Sequence, residues 1–380
     1  MKIIKNLLIT TTLLTSAAQA LTLEYPSLYK DPRVMSMGGA NVAVGGESSA
    51  MFSNPAGLSR LDPNEGLEVD LINIGLSFSE NTLDLLDDLD KANTDSETLA
   101  VLEKYQGVNN HLTVNDYSSI SYKGESIAWS LGLLPLSSQF NFKTHALGSS
   151  SGLLDINAYA LSGLIAGLSY DFTNYLHIGL GAKVLEGKSV TASLSLTEVL
   201  DLTDSSTDSA QYLEDTYMKD FKTTSYDAGL IIDLDAFIPY GNYWRPSIGL
   251  SILDIGETKL GDYGTIPTTV NIGALIQPKI PYLSNFLLAV DYIDILDEYA
   301  TDYDADMGKK WRLGARADIF HNSWVQLTGS GGMYNLEPTY GVEIRLSLLT
   351  IAYSSYAEEL GAYAGQDLDR RHSLSVALGW

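Results

Sequence analysis

Tight turns alternate with long acidic loops along this chain, and few folds obey such a parity. From residue 66 to the C-terminus, segments of roughly 10–15 residues alternate apolar with small or polar side chains, with turn clusters between them. The alternation predicts strands over 66–79, 112–123, 125–145, 153–170, 175–199, 223–238, 243–254, 268–279, 285–296, 309–319, 323–334, 337–346, 348–357 and 371–380, about fourteen in all. If both chain ends lie on one side, the even-numbered connections are tight: Lys123-Gly124, Asp171-Phe172-Thr173-Asn174, Ile238-Pro239-Tyr240-Gly241-Asn242 and His321-Asn322. The odd-numbered ones include the long stretches 80–111, 200–222, 255–267, 297–308 and 358–369. Short turns on one rim and long loops on the other are the asymmetry of an outer-membrane barrel; a soluble β-sandwich has no reason to sort its loops by parity.

The start of the chain agrees with export. Lys2 and Lys5 precede a short apolar run, and Ala18-Gln19-Ala20 places small residues before Leu21, so 1–20 reads as a secretory signal peptide. No apolar run of about 18 residues follows, which leaves no candidate transmembrane helix. A chain without one spans lipid only as a closed barrel. The expected fold is therefore all-β: a transmembrane antiparallel barrel of about fourteen strands over 65–380. The last strand shows the pattern clearly, with Leu374, Val376, Leu378 and Trp380 pointing one way and Ser375, Ala377 and Gly379 the other. A terminal aromatic such as Trp380 resembles the signal read by the outer-membrane barrel assembly machinery.

Charge and composition exclude several functions. A formal charge of −24 is incompatible with a nucleic-acid surface. The absence of Cys excludes disulfides, thiolate metal sites and thiol redox chemistry. The acidic residues gather in the odd loops, where they solvate exposed backbone or bridge divalent cations to lipopolysaccharide. Within loop 80–111, Leu83, Leu86, Leu89, Leu99 and Leu102 fall near helical spacing and predict a short amphipathic lid helix. Ala182 to Ser189 fits a relaxed phosphate loop, but an alternating strand pattern follows where a helix is needed. Asp302, Asp304 and Asp306 begin like a calcium loop, yet Met307 stands where Gly is required and Leu313 where Glu is required. The five histidines are scattered. These readings predict no enzyme, no metal and no cofactor.

Residues 33–58 break the strand rhythm and are mostly small, with Met35, Met37, Met51, Phe52 and Leu58 as apolar anchors. A barrel of about fourteen strands is too wide for its own side chains to fill. A plug over 21–64, folded back inside, closes such a bore. Met37-Gly38-Gly39-Ala40 and Asn54-Pro55-Ala56-Gly57-Leu58 resemble the N-terminal hatch of the long-chain fatty acid transporter (FadL) family. Tyr356 to Gly361 and Arg370 to Leu374 look closer to its TraF-like branch, and PorV-type secretion proteins share the architecture. The resemblance implies a Gram-negative outer-membrane protein, exported by a Sec-type route, that passes hydrophobic small molecules such as fatty acids or hydrocarbons. It carries Asn54, Pro55 and Ala56 over as hatch residues, beside Met51, Phe52 and Gly57 as candidate gating residues. It also gives Pro135 a role as a kink in the third strand that opens a lateral exit, unless that strand simply ends at Leu134. The other implied role is a barrel that transports nothing and scaffolds conjugal transfer or secretion.

Overall fold

The computed structural model describes residues 24–25, 27–62, 66–145, 154–195, 198–199, 216–281, 283, 285–299, 306–322 and 324–380. The signal-peptide reading of 1–20, and Asp302 and Asp304 of the calcium-like run, lie outside them. Fourteen antiparallel strands close into one barrel. In chain order they are β1 (Leu67–Ser79), β2 (Asn109–Lys123), β3 (Ile127–Thr144), β4 (Leu154–Thr173), β5 (Leu176–Leu194), β6 (Lys219–Asp233) and β7 (Ser247–Ile255). Then follow β8 (Thr269–Ile276), β9 (Phe286–Tyr292), β10 (Trp311–His321), β11 (Val325–Tyr334), β12 (Glu337–Leu346), β13 (Leu349–Glu359) and β14 (Leu368–Gly379). Each strand pairs with its sequence neighbours, and β1 pairs with β14 at the seam. Trp380 finishes that seam by exchanging both backbone hydrogen bonds with Val69, at 2.8 and 3.0 Å.

The period of two sorts the side chains. Leu374, Val376 and Leu378 of β14 face outward and are exposed, while Ser373 and Ser375 are buried inside. The same holds for Leu131 and Leu133 on β3, Leu164 and Leu168 on β4, and Ile178, Leu180 and Val184 on β5. The result is a continuous outward apolar belt. Water disfavours such a surface and hydrocarbon does not. No helix among the described residues is long and apolar enough to cross a membrane.

Several boundaries differ from those expected. β6 ends at Asp233 and β7 begins at Ser247, so the connection spans 234–246 and holds a short helix, α4 (Gly241–Trp244). The apolar alternation through Ile238 reads as strand, but Pro239 has no N–H for a ladder and Gly241 turns the chain. β5 stops at Leu194 instead of continuing to 199. The parity of loop lengths fails at the even connection 234–246 and again at an odd one. Between β11 and β12, Asn335 and Leu336 both adopt positive φ (54° and 64°), the twist of a two-residue hairpin turn, so one odd connection is tight.

The predicted lid is two helices, α2 (Thr82–Lys91) and α3 (Asp95–Lys104), following the short inner helix α1 (Pro32–Ser36). Thr94 and Glu97 form a reciprocal capping box that starts α3. Leu89, Leu99 and Leu102 pack with Phe140, Phe142, Ile156, Val190 and Leu194. Those five strand residues share the outward parity of β3–β5, so the lid covers the outer face of the wall where it rises past the belt. The phosphate-loop-like Ala182 to Ser189 lies wholly inside β5.

Residues 24–62 pack against the inward face of the wall. Their main chain approaches so closely that only glycine fits opposite. A Cβ built on Gly179 of β5 would lie 2.1 Å from the Ala56 nitrogen, and one on Gly229 of β6 would lie 1.9 Å from Asn54 Oδ1. On the far side, Gly314 of β10 and Gly332 of β11 face Met37 in the same way. The inner segment thus touches the wall on opposite sides of the bore.

Candidate functional site

Asn54-Pro55-Ala56 is built for contact with the wall. Asn54 caps the 3-10 turn Pro55–Arg60 by accepting the Ala56 N–H at 3.0 Å, and Pro55 occupies the first turn position, where no N–H is needed. The Asn54 amide nitrogen donates to the carbonyls of Val42 (2.7 Å) and of Leu230 on β6 (3.2 Å). One side chain therefore joins two parts of the inner segment to the barrel. Ala56 and Gly57 are small because Gly179 and Gly45 lie against them. Asn54→Ala removes these bonds and leaves the Val42 carbonyl without its donor. The expected loss is about 1–3 kcal/mol in chemical unfolding of the folded barrel, with the same denaturant slope.

Ion pairs hold the rest of the segment. Glu24 receives a two-pronged hydrogen bond from Arg371 of β14, at 2.9 and 3.0 Å. Lys30 bridges Glu24 and Glu358 of β13. Arg33 pairs with Asp31 at 2.7 Å, and Arg60 pairs with Asp233 at 2.6 Å. Burial pushes the Glu24 carboxyl up, but Arg371 and Lys30 outweigh it and hold the group well below the usual carboxylate range. Asp291 of β9 makes no salt bridge among the described residues. One of its oxygens accepts the N–H groups of Asn41 (2.6 Å) and Val42 (2.8 Å). Glu358 and Arg371 lie in the stretches read for their family resemblance, but the sequence reading assigns no ion pair to any of these residues. Their inward position in the strand alternation is the signal that marks Lys183, Arg312 and Arg371.

A cavity of about 150 Å³ remains beside the segment, lined among others by Leu28, Tyr29, Phe52, Lys183, Asp254 and Arg312. A second, of about 170 Å³, lies between Glu24, Gln139, Tyr159 and the inward-folded stretch 260–266, and both are bordered by Ser27, Ile266 and Tyr299. Charged side chains share this lining with apolar ones. Lys183 binds Asp227 and Asp254, both at 2.9 Å, and Arg312 stacks 3.8 Å from the centre of the Tyr334 ring. Paired charges thus share the bore with apolar side chains, where inward-facing residues of several strands meet.

Pro135 does not end β3. The strand pairs with β2 and β4 on both sides of it, but both ladders shift there, between Asp116 and Ser118 and between Leu134 and Ser137. The ladders of β1 with β14 and with β2 shift at Asp70 as well. Four neighbouring ladders thus lose register in one band of the wall. Asp116 faces outward there, level with exposed Ile74 and Leu136, and accepts the Asn73 N–H at 3.1 Å. Inside the band, Tyr29, Phe52 and Tyr117 stack around one another with ring centres 4.9–5.4 Å apart. Leu134 and Met51 belong to the same buried cluster. The structure therefore brings Met51 and Phe52 together with the Pro135 bulge, places Asn54 to Gly57 against β5 and β6, and leaves Trp380 apart at the seam.

No protein-family model matches the sequence, and no curated protein matches it either. Solved structures do match. The toluene transporter TbuX of Ralstonia pickettii aligns over 93% of this chain and 98% of its own, with 11% identity and a TM-score of 0.53. The fold is FadL-like. A deltaS2S3 mutant of TodX, a monoaromatic hydrocarbon channel, agrees over 92% of this chain and 98% of its own, at 11% identity and a TM-score of 0.54. At such identities the likeness is one of fold alone.

Proposed function

We propose that this chain is a Gram-negative outer-membrane channel for passive uptake of small hydrophobic molecules, with residues 24–62 as its hatch. The observation that carries the reading is the aromatic cluster of Tyr29, Phe52 and Tyr117, set directly behind the band of shifted ladders at Pro135. An apolar solute gains about 25 cal/mol for each Å² it removes from water, so it partitions into such a cluster. A band with displaced hydrogen bonds is the part of the wall that opens with the least loss. The short-turn rim is then periplasmic and the acidic loops lie at the cell surface, where lipopolysaccharide is the neighbour. Both hydrocarbon channels that share the fold are named for solutes of this class. The test is uptake of radiolabelled toluene into proteoliposomes. Uptake is expected to rise with protein dose and to fall several-fold when Pro135 is deleted, which removes the extra residue from the ladder. Dose-independent uptake overturns the reading.

A second role is favoured by the charged bore. Lys183, Asp254 and Arg312 make a poor path for a hydrocarbon, and a closed barrel of this kind suits a scaffold for conjugal transfer or secretion, as in TraF-like and PorV-like proteins. Co-purification with such a complex, together with absence of toluene uptake, distinguishes it.

A further inference from the structure

The connection 234–246 differs from every other described turn on its rim. It exposes Phe237, Ile238, Tyr240, Tyr243 and Trp244, with Tyr240 82% accessible. Folding alone gives no reason to display such a set, since burial of any of them is favourable. The display is also held in place. Tyr240 and Arg245, at the two ends of α4, both take left-handed conformations (φ 60° and 41°), which side chains with a Cβ resist. Backbone hydrogen bonds tie the turn to the next connection: Gln277 N–H to Trp244 O at 2.8 Å, and Lys279 N–H to Tyr243 O at 3.1 Å. Arg245 Nε adds a bond to Gln277 O at 3.2 Å. The result is a stiff ledge of two connections, with Tyr175 and Phe237 stacked edge to face where it meets β5.

Its charge is unusual for this molecule. In a chain of −24, the ledge presents exposed Arg245 and Lys279 beside the aromatics. Asp235 is the acid on the same turn, and it is turned to the Ala236 N–H at 2.9 Å. The ledge also continues the outward apolar belt through Phe172 and Tyr175, both exposed at the same rim. Rings with one polar edge settle at a bilayer interface, and cations beside them favour anionic headgroups.

We infer that this ledge is an anchor for the inner leaflet of the outer membrane, seating its aromatic rings among acyl chains and pairing Arg245 and Lys279 with anionic phospholipid. The inference rests on the membrane reading and not on transport. The experiment uses the full chain reconstituted in phosphatidylcholine vesicles containing brominated phosphatidylglycerol, or brominated phosphatidylcholine in the same amount. The emission lost on Trp244→Phe isolates the ledge tryptophan. Its quenching is expected to be at least twofold stronger with the brominated phosphatidylglycerol, and Arg245→Ala with Lys279→Ala is expected to equalise the two lipids. Equal quenching in the unsubstituted ledge overturns the inference. So does an unquenched Trp244, which assigns the ledge to a protein partner or to water. Trp129, Trp311 and Trp380 face outward elsewhere, so their quenching reports separately that the barrel is embedded.

Discussion

Deletion of residues 33–58 is expected to turn a quiet barrel into a leaky one. In planar bilayers the shortened protein should show stepwise openings with a conductance roughly tenfold or more above the intact chain, and small hydrophilic solutes should escape from loaded vesicles. The wall itself is closed by hydrogen bonds around its full circumference, so it does not depend on the inner segment for its ladders. The wall glycines opposite Ala56, Asn54 and Met37 supply no side chains to fill the vacated space. Heat-dependent gel mobility shows whether the deleted barrel has folded. Gly179→Val gives an independent route, since its side chain collides with the Ala56 backbone and forces that edge of the segment away. Folded variants with unchanged conductance overturn the role assigned to the segment.

The second large effect concerns stability. Arg371→Ala leaves Glu24 and Asp369 buried without their shared guanidinium, and such a loss costs about 3–5 kcal/mol. Glu24→Gln should cost less, because Asp369 still accompanies Arg371 and Glu358 still accompanies Lys30. The double variant should recover part of the penalty, and the coupling measured in urea unfolding reports the pair directly. Acid acts on the same bond. Because the Glu24 carboxyl is held below its unfolded value, its contribution is complete above the ordinary carboxylate range near pH ~4 and is lost as pH falls through the lower folded value. Protease cleavage of the N-terminal segment should therefore rise in acid before the barrel unfolds, and less so in Glu24→Gln. Cleavage that is flat with pH in both proteins counts against this account.

The wall was largely legible in the sequence because each strand carries its own period of two, and each turn its own local chemistry. Errors fell where that signal is ambiguous. The stretches 234–238 and 243–246, on either side of the turn at Pro239, alternate like strand yet belong to the connection, whereas the two-residue turn Asn335-Leu336 falls where the strand bounds put it. The inner segment was visible as a break in rhythm, and Asn54-Pro55 as a capped turn. The ionic network was not visible. Glu24 and Arg371 are chemically ordinary until closure of the barrel brings the two ends of the chain together, and no local pattern encodes that meeting. The mixed lining of the cavities follows from the same non-local cause.

The grip of Arg371 on Glu24 has a consequence for biogenesis. The earliest described residue finds its partner only on β14, the strand that closes the barrel, so the two cannot be joined until that strand is in place. An assembling barrel therefore holds this end of the segment unclasped until its closing strand arrives. The last stitch of the seam and the fastening of that segment become one event.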